Sequence, residues 1–241
     1  MSLALNKNIE AVFFDLDGTL LPLEQSFFIK QYFKGISAYA AHYGIDPKML
    51  IDATLAGTES MIRNNGESTN ETVFWKTFFD FTGDKRDDLI EILDKYYLGD
   101  FKKLKEYTSE NPLAKKMIDA AHMNNRKVVL ATNPVFPMSA QLERMSWIGL
   151  TETDFDLVTS YENSRFCKPN PKYYLEICEK IEIAPQNCLM IGNDESDDMK
   201  AASMAGMDCF LVTDNRIIAD NFVWTGERGS FEQALKIVEK I

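Results

Sequence analysis

The sequence contains few of the residues on which many catalytic and metal-binding sites depend. Of its 241 residues, two are histidine and four are cysteine. His42 and His122 lie in helical patterns far from any other catalytic signal, so we do not expect histidine-based catalysis. No two cysteines form a Cys-x-x-Cys pair, which argues against a zinc site.

Long apolar runs and an excess of basic residues are missing as well. No apolar stretch approaches the length of a transmembrane helix, and residues 1–7 hold none long enough for a signal peptide. The net charge of −11 disfavours nucleic acid and anionic membranes as partners, because both require a basic surface. We therefore expect a cytoplasmic protein that binds neither nucleic acid nor a membrane. It could be a monomer or a homodimer.

A short apolar run that ends in two carboxylates is the most informative stretch. Ala11–Phe14 predicts a buried parallel strand, and Asp15 and Asp17 follow it. Being two positions apart, the two carboxylates point to the same side of an extended chain, where a divalent cation would offset their repulsion. The alternative is a simple tight turn, since Asp17 followed by Gly18 favours positive φ.

The rest of the chain divides into a helical stretch and an alternating one. Aromatic residues recur at helical spacing in residues 21–108, and one predicted helix begins at a capping box of Ser68 and Glu71. From residue 109 helices alternate with strands. We predict an α/β fold, in which a parallel sheet with helices on both faces (1–20 and 109–241) carries an inserted all-helical unit (21–108).

The predicted strands of the second part place the helical unit near a ligand site. They lie at residues 128–131, 155–158, 188–191 and 209–212, with a possible edge strand at 222–224. An insert that follows the first strand lies over the carboxyl end of the sheet, where open α/β sheets bind ligands. The helical unit could therefore act as a lid.

Further polar residues follow the predicted strands. Thr132 and Asn133 could hold phosphate oxygens, Lys168 could place a positive charge beside them, and Asp194 and Asp198 belong to a carboxylate cluster. Each has a simpler explanation alone: a strand end, a surface charge, or an acidic helix N-terminus. Together, in this order, they favour phosphoryl transfer with a divalent cation.

With these residues, the sequence resembles the haloacid dehalogenase superfamily. The stretch from Asp15 to Thr19 is similar to its first motif, Thr132 to the second, Lys168 to the third and residues 194–198 to the fourth. The position of the insert in the sequence resembles that of the helical cap in family members that carry one between the first and second motifs. The resemblance implies a Rossmann-like core.

The resemblance also implies a Mg²⁺-dependent phosphatase that hydrolyses a small phosphorylated metabolite through an aspartyl-phosphate. Asp15 would be the nucleophile, and Asp17 the acid and base. Mg²⁺ would be held by the Asp15 carboxylate, the Asp17 backbone carbonyl and the Asp194 carboxylate, with Asp198 acting directly or through water. The phosphoryl group would be bound by Thr132, Asn133 and Lys168.

Some positions leave alternatives open. Asn193 interrupts the Gly-Asp pair more usual in the fourth motif and could share the outer shell of the metal. Arg63 could bind an anionic group of the substrate or be an ordinary exposed helix arginine. A phosphomutase shares every core residue, and a non-catalytic binding protein could retain the fold. A dehalogenase is disfavoured, because dehalogenases of the family lack a counterpart of Asp17.

Overall fold

The α/β fold is confirmed by a computed structural model, which describes residues 8–83, 88–123 and 125–241. Within these residues six strands form one parallel sheet. The strands are β1 (Ala11–Phe14), β2 (Lys127–Leu130), β3 (Leu157–Val158), β4 (Cys188–Gly192), β5 (Asp208–Val212) and β6 (Arg228–Gly229). Their order is β3-β2-β1-β4-β5-β6, so the first strand of the chain lies inside the sheet.

The side chains of β1 divide between two hydrophobic clusters because neighbouring residues of a strand point to opposite faces. Val12 and Phe14 belong to the cluster on one face, and Ala11 and Phe13 to the cluster on the other. All four are fully buried. A strand buried on both faces explains the continuous apolar run in the sequence.

Along the sequence, helices α1–α4 follow β1 and precede the other strands of the sheet. They are α1 (Gln25–Ala41), α2 (Pro47–Ile62), α3 (Asn70–Thr82) and α4 (Leu89–Leu98), and a 3₁₀ stretch, Asp100–Tyr107, follows them. The remaining helices are α5 (Ala114–Met123), α6 (Met138–Ser146), α7 (Pro171–Ile181), α8 (Ala201–Met204) and α9 (Phe231–Val238). The division into a core and a separate helical unit stays a prediction.

The cap of α3 differs from the expected one. The residue before the helix is Thr69, whose side chain accepts a hydrogen bond from the backbone N–H of Thr72. The predicted capping box of Ser68 and Glu71 is wrong by one residue, because Thr69 rather than Ser68 precedes the first helical residue. The helix ends at Gly83, which has a φ of 63°.

The predicted edge strand at 222–224 is also wrong. The last strand is β6, where Arg228 pairs with Leu211. Trp224 instead packs against the core cluster and donates its indole N–H to the carbonyl of Glu227. Its partly buried ring therefore belongs to a loop and not to a strand.

Two further expectations from the sequence concern membrane-spanning helices and a signal peptide. In the part of the chain that the structure describes, no helix is long and apolar enough to span a bilayer. The expectation about a signal peptide rests on residues 1–7, which lie outside the described residues.

Candidate active site

A cavity of about 100 Å³ lies where β1, β2 and β4 end. The register sets this meeting point, since Phe14 pairs with Leu130 on one side and with Ile191 on the other. The cavity brings together most of the predicted site residues, which are Asp15, Asp17, Thr132, Asn133, Lys168, Asn193, Asp194 and Asp198.

The turn after β1 requires its glycine. Gly18 has a φ of 84°, and a side chain there would collide with the Asn193 amide. That amide accepts a hydrogen bond from the Thr19 hydroxyl at 3.0 Å and donates one to the Asn215 carbonyl at 2.6 Å. The tight turn is therefore present and is itself part of the site, and Asn193 joins two loops.

Lys168 is a buried charge and not a surface one, with 2% of its area exposed. Its ammonium donates to Asp15 Oδ1 at 2.8 Å and to Asp198 Oδ1 at 2.6 Å. Burial opposes its charge, but the two carboxylates outweigh burial and hold the pKa of Lys168 well above its usual value. The lysine is positively charged at neutral pH.

The carboxylates of the cavity exceed its positive charges. Burial raises the pKa of Asp15 to about 8, against the opposing effect of Lys168, and Asp198 adds to the rise. Burial also raises the pKa of Asp194, and burial together with Asp194 raises that of Asp197 to about 7. A bound cation would offset this excess of negative charge.

The fourth motif is held in place by its own backbone. Asp194 Oδ1 accepts hydrogen bonds from the N–H groups of Ser196 and Asp197 at 2.7 and 2.8 Å, at the start of a π-helical segment, Glu195–Lys200. Asp198 Oδ2 accepts from the Asp194 N–H at 3.0 Å. With its other oxygen on Lys168, Asp198 has partners for both oxygens and orients its neighbours. Irregular segments of this kind are frequent at functional sites.

The predicted metal ligands fit a hard cation. No group of three or more His, Cys, Asp or Glu side chains among the described residues is arranged to hold a metal ion. The predicted set consists of the Asp15 and Asp194 carboxylates and the backbone carbonyl of Asp17, with Asp198 acting directly or through water. Both oxygens of Asp198 already accept hydrogen bonds, from Lys168 and from the Asp194 N–H. Among the same residues, no backbone N–H donates to that carbonyl. Three oxygen donors beside uncompensated negative charge suit Mg²⁺.

Arg144 is a residue of this site that the sequence did not reveal. It is fully buried on α6, and its guanidinium forms an ion pair with Asp17 Oδ2 and a hydrogen bond to Gln141. The guanidinium also lies 4.7 Å from the ring centre of Phe136. Asp17 Oδ1 is buried and has no hydrogen-bond partner within the described residues. Arg144 thus fixes the orientation of Asp17 while one oxygen stays free.

The segment after β2 is held by hydrogen bonds to its backbone. The Thr132 carbonyl accepts from the hydroxyls of Thr159 and Tyr173, both at 2.8 Å. Asn133 Oδ1 accepts from the backbone N–H of Lys168 at 3.3 Å. These contacts hold Thr132 at the wall of the cavity, which Lys168 also lines.

Arg63 is the predicted site residue that the structure does not bring to the cavity. It follows the last residue of α2, and 77% of its side chain is exposed. Its guanidinium forms an ion pair with Glu59 at 2.6 Å, one helical turn earlier. The structure therefore agrees with the alternative, an ordinary exposed helix arginine.

Comparison with known proteins is consistent with this geometry. The haloacid dehalogenase-like hydrolase family matches residues 9–206. The chain belongs to this family. This haloacid dehalogenase-like hydrolase is 23% identical over 200 residues to the phosphorylated carbohydrates phosphatase of Thermotoga maritima, covering 83% of each chain. It is 27% identical over 205 residues to the phosphoglycolate phosphatase of Nitrosospira multiformis, covering 85% of its own chain and 83% of that relative.

The fold of this haloacid dehalogenase-like hydrolase also matches solved structures. One is the crystal structure of a HAD phosphatase from Thermococcus onnurineus, with a TM-score of 0.59 and 20% sequence identity. The match covers 95% of this chain and 97% of that one. The resemblance drawn from the sequence motifs is therefore confirmed for family and fold.

Proposed function

We propose that the protein is a Mg²⁺-dependent phosphatase that hydrolyses a small phosphomonoester through a phosphorylated Asp15. The observation that carries this proposal is the buried contact of Asp15 with Lys168, in a cavity shared with Asp17. The phosphatase names of the two relatives support a phosphoester as substrate.

In the first step, an oxygen of the Asp15 carboxylate attacks phosphorus and the bond from phosphorus to the alcohol oxygen breaks. Asp17 gives its proton to the departing oxygen. Lys168 and the Thr132 hydroxyl bind the phosphoryl oxygens, with Asn133 beside them. The Asp15 carboxylate, the Asp17 carbonyl and the Asp194 carboxylate would hold Mg²⁺, which would supply charge that offsets the repulsion between the carboxylates and the phosphoryl group.

In the second step, water attacks the phosphorus of the aspartyl-phosphate. Asp17, now a carboxylate, takes a proton from this water, and inorganic phosphate leaves. The Asp15 carboxylate and the protonated Asp17 are restored. Arg144 keeps the Asp17 carboxyl oriented in both steps through its contact with Oδ2.

The test is hydrolysis of 4-nitrophenyl phosphate with Mg²⁺ and with excess chelator. We expect turnover only with Mg²⁺ and a loss of at least about 10³-fold in Asp15→Asn, because an amide cannot form the acyl phosphate. Asp119→Asn, on the exposed face of α5, is the control and keeps its activity. Full activity in chelator contradicts the metal, and an active Asp15→Asn contradicts the nucleophile. Transfer of the phosphoryl group to a sugar phosphate, without release of phosphate, favours the phosphomutase.

A further inference from the structure

A second cavity, of about 140 Å³, adjoins the candidate active site. It lies among α1–α4 and the loop after β2, and we call it the apolar cavity. Ile29, Val135 and Phe136 line both it and the active-site cavity. The two cavities are therefore neighbours, and a molecule with its phosphoryl group at Asp15 would have to pass these three side chains to enter the apolar cavity.

The walls of the apolar cavity are mostly hydrocarbon and aromatic rings. No charged side chain is found among its lining residues in the described part of the chain. The apolar side chains that reach it from the four helices include Phe33, Ile36, Leu55, Phe74, Trp75 and Leu93. Such a surface favours an apolar occupant, because binding removes water from the apolar surfaces of both the cavity and the occupant.

The few polar groups of the apolar cavity already have partners inside the protein. The hydroxyls of Tyr32 and Tyr97 bond to each other at 2.7 Å. Thr54 and Thr58 donate their hydroxyl protons to the carbonyls of Leu50 and Thr54, each at 2.8 Å. A sugar hydroxyl buried here would give up its water and meet groups already engaged in these internal bonds, and each hydroxyl left without a partner weakens binding by roughly 5- to 100-fold.

We propose that the apolar cavity binds the alcohol part of the substrate, so that the enzyme prefers phosphomonoesters of apolar alcohols to those of sugars or hydroxy acids. This inference rests on the phosphatase function proposed above. The size sets the limit: apolar protein cavities of about 150 Å³ hold one benzene ring. The preferred alcohol therefore carries about one aromatic ring or a chain of roughly six carbons.

Steady-state kinetics with n-alkyl phosphates from methyl to decyl tests this preference, because their alcohols have nearly equal acidity as leaving groups. We expect kcat/KM to rise about two- to fourfold per methylene and to level off near hexyl. That gives at least about a 30-fold gain from methyl to hexyl phosphate. Benzyl phosphate should match hexyl phosphate, while phosphoglycolate and glucose 6-phosphate should stay at or below methyl phosphate.

Filling the apolar cavity should remove the preference without harming the chemistry. Thr58 is half-buried on α2 at a distance in sequence from every proposed catalytic residue. In Thr58→Phe we expect kcat/KM for hexyl phosphate to fall at least about tenfold more than kcat/KM for methyl phosphate. Thr77→Phe makes the same change on α3, outside the lining residues, and should alter neither ester. Phe33→Leu, which enlarges the cavity, should move the plateau to longer chains.

The outcomes separate the two proposals. If no ester is hydrolysed, 4-nitrophenyl phosphate included, the phosphatase function fails and this preference fails with it. If all esters are hydrolysed without a rise along the alkyl series, or if phosphoglycolate or glucose 6-phosphate is preferred, the phosphatase function stands and the apolar cavity is only a packing gap. An unchanged alkyl series in Thr58→Phe overturns the location of the subsite.

Discussion

Asp17 and Arg144 form an ion pair beside the proposed nucleophile. The guanidinium contacts Asp17 Oδ2, and Asp17 Oδ1 has no hydrogen-bond partner within the described residues. The ion pair therefore leaves Oδ1 as the oxygen that can give and take the proton in the two proposed steps.

Asp17→Asn should separate binding from chemistry. The backbone carbonyl stays, so Mg²⁺ should still bind, but the proton donor is lost. We expect alkyl phosphates to slow by about 10²-fold or more, while an aryl phosphate, whose leaving oxygen needs little protonation, phosphorylates Asp15 more nearly normally. Rapid mixing should show a burst with little steady-state turnover. Equal slowing of all esters in the burst would mean that another residue is the acid.

Removing the guanidinium should produce a milder form of the same defect. In Arg144→Met we expect kcat for alkyl phosphates to fall about tenfold or more with little change in KM, because Asp17 loses its orientation but no phosphoryl contact is removed. Arg144→Lys should recover part of the loss. The control is Arg126→Met, since Arg126 bonds to the Ile9 carbonyl and not to the cavity. Unchanged kcat for alkyl phosphates in Arg144→Met would exclude a positioning role.

Single residues differ in how easily the sequence identifies them as residues of the site. Asp15 directly follows a buried strand and Asp194 lies two residues after one, so the local pattern is sufficient to select both. Arg144 lies 127 positions from Asp17, and no local rule links two such residues. The available signal was weak: Gln141 and Arg144 share the buried face of α6 with apolar neighbours, where a polar pair needs partners.

At the scale of elements, the start of α3 links the helical unit to the phosphoryl site. Asn70 is fully buried, and its backbone N–H donates to the Ser164 carbonyl at 2.8 Å. Its side-chain amide lies 3.3 Å from the Pro134 carbonyl and 3.4 Å from that of Phe166, and its oxygen accepts from Asn64. One side chain therefore contacts both loops that carry the proposed phosphoryl-binding residues.

Asn70→Leu should loosen that link. Two buried carbonyls lose a donor, so we expect the free energy of unfolding to fall by about 1–3 kcal/mol, and KM for phosphoesters to rise as the loops shift. Urea unfolding and steady-state kinetics measure the two effects. Asn65→Leu lies in the same connection but is exposed, and should change neither quantity by much. A stable variant with normal KM would show that the link has no effect on the site.

The elements themselves were predicted where burial leaves a clear pattern. Periodicity predicts five of the strands, β1 to β5, and the helices with aromatic stripes. The strand β6 has two residues, Arg228 and Gly229, and so carries no pattern at all. The apolar run at 222–224 was wrongly predicted to be a strand, because an aromatic ring such as that of Trp224 can pack against the core from a loop. At α3 the helix start shifted by one residue, since Ser68 and Thr69 are both good caps.

At the scale of the whole molecule, the helical unit and the sheet share one hydrophobic cluster. Phe101 stacks on Trp147 with ring centres 5.8 Å apart, and Phe28 contacts the same indole at 6.2 Å. Tyr32 meets Phe136 edge-on at 5.2 Å. The expected movement of the helical unit on substrate binding stays a prediction, and these contacts are those that it would disturb.

The shared cluster predicts a single unfolding transition for both parts. Trp75 lies on α3, whereas Trp224 packs on the opposite face of the sheet, so variants that keep one of these tryptophans report on each part separately. We expect their fluorescence midpoints in urea to coincide with each other and with circular dichroism. Midpoints that differ between the two reporters would show that the helical unit unfolds independently.

The central place of β1 has a consequence for how the chain is made. Its partners begin at Lys127 and Cys188, so β1 leaves the ribosome more than a hundred residues before either neighbour has been synthesised. Contacts this distant in sequence form slowly. Helices α1–α4 can form earlier from local contacts, and the strand that carries Asp15 stays without a sheet meanwhile. Any nascent chain that stops before β4 would present an apolar strand edge to other chains.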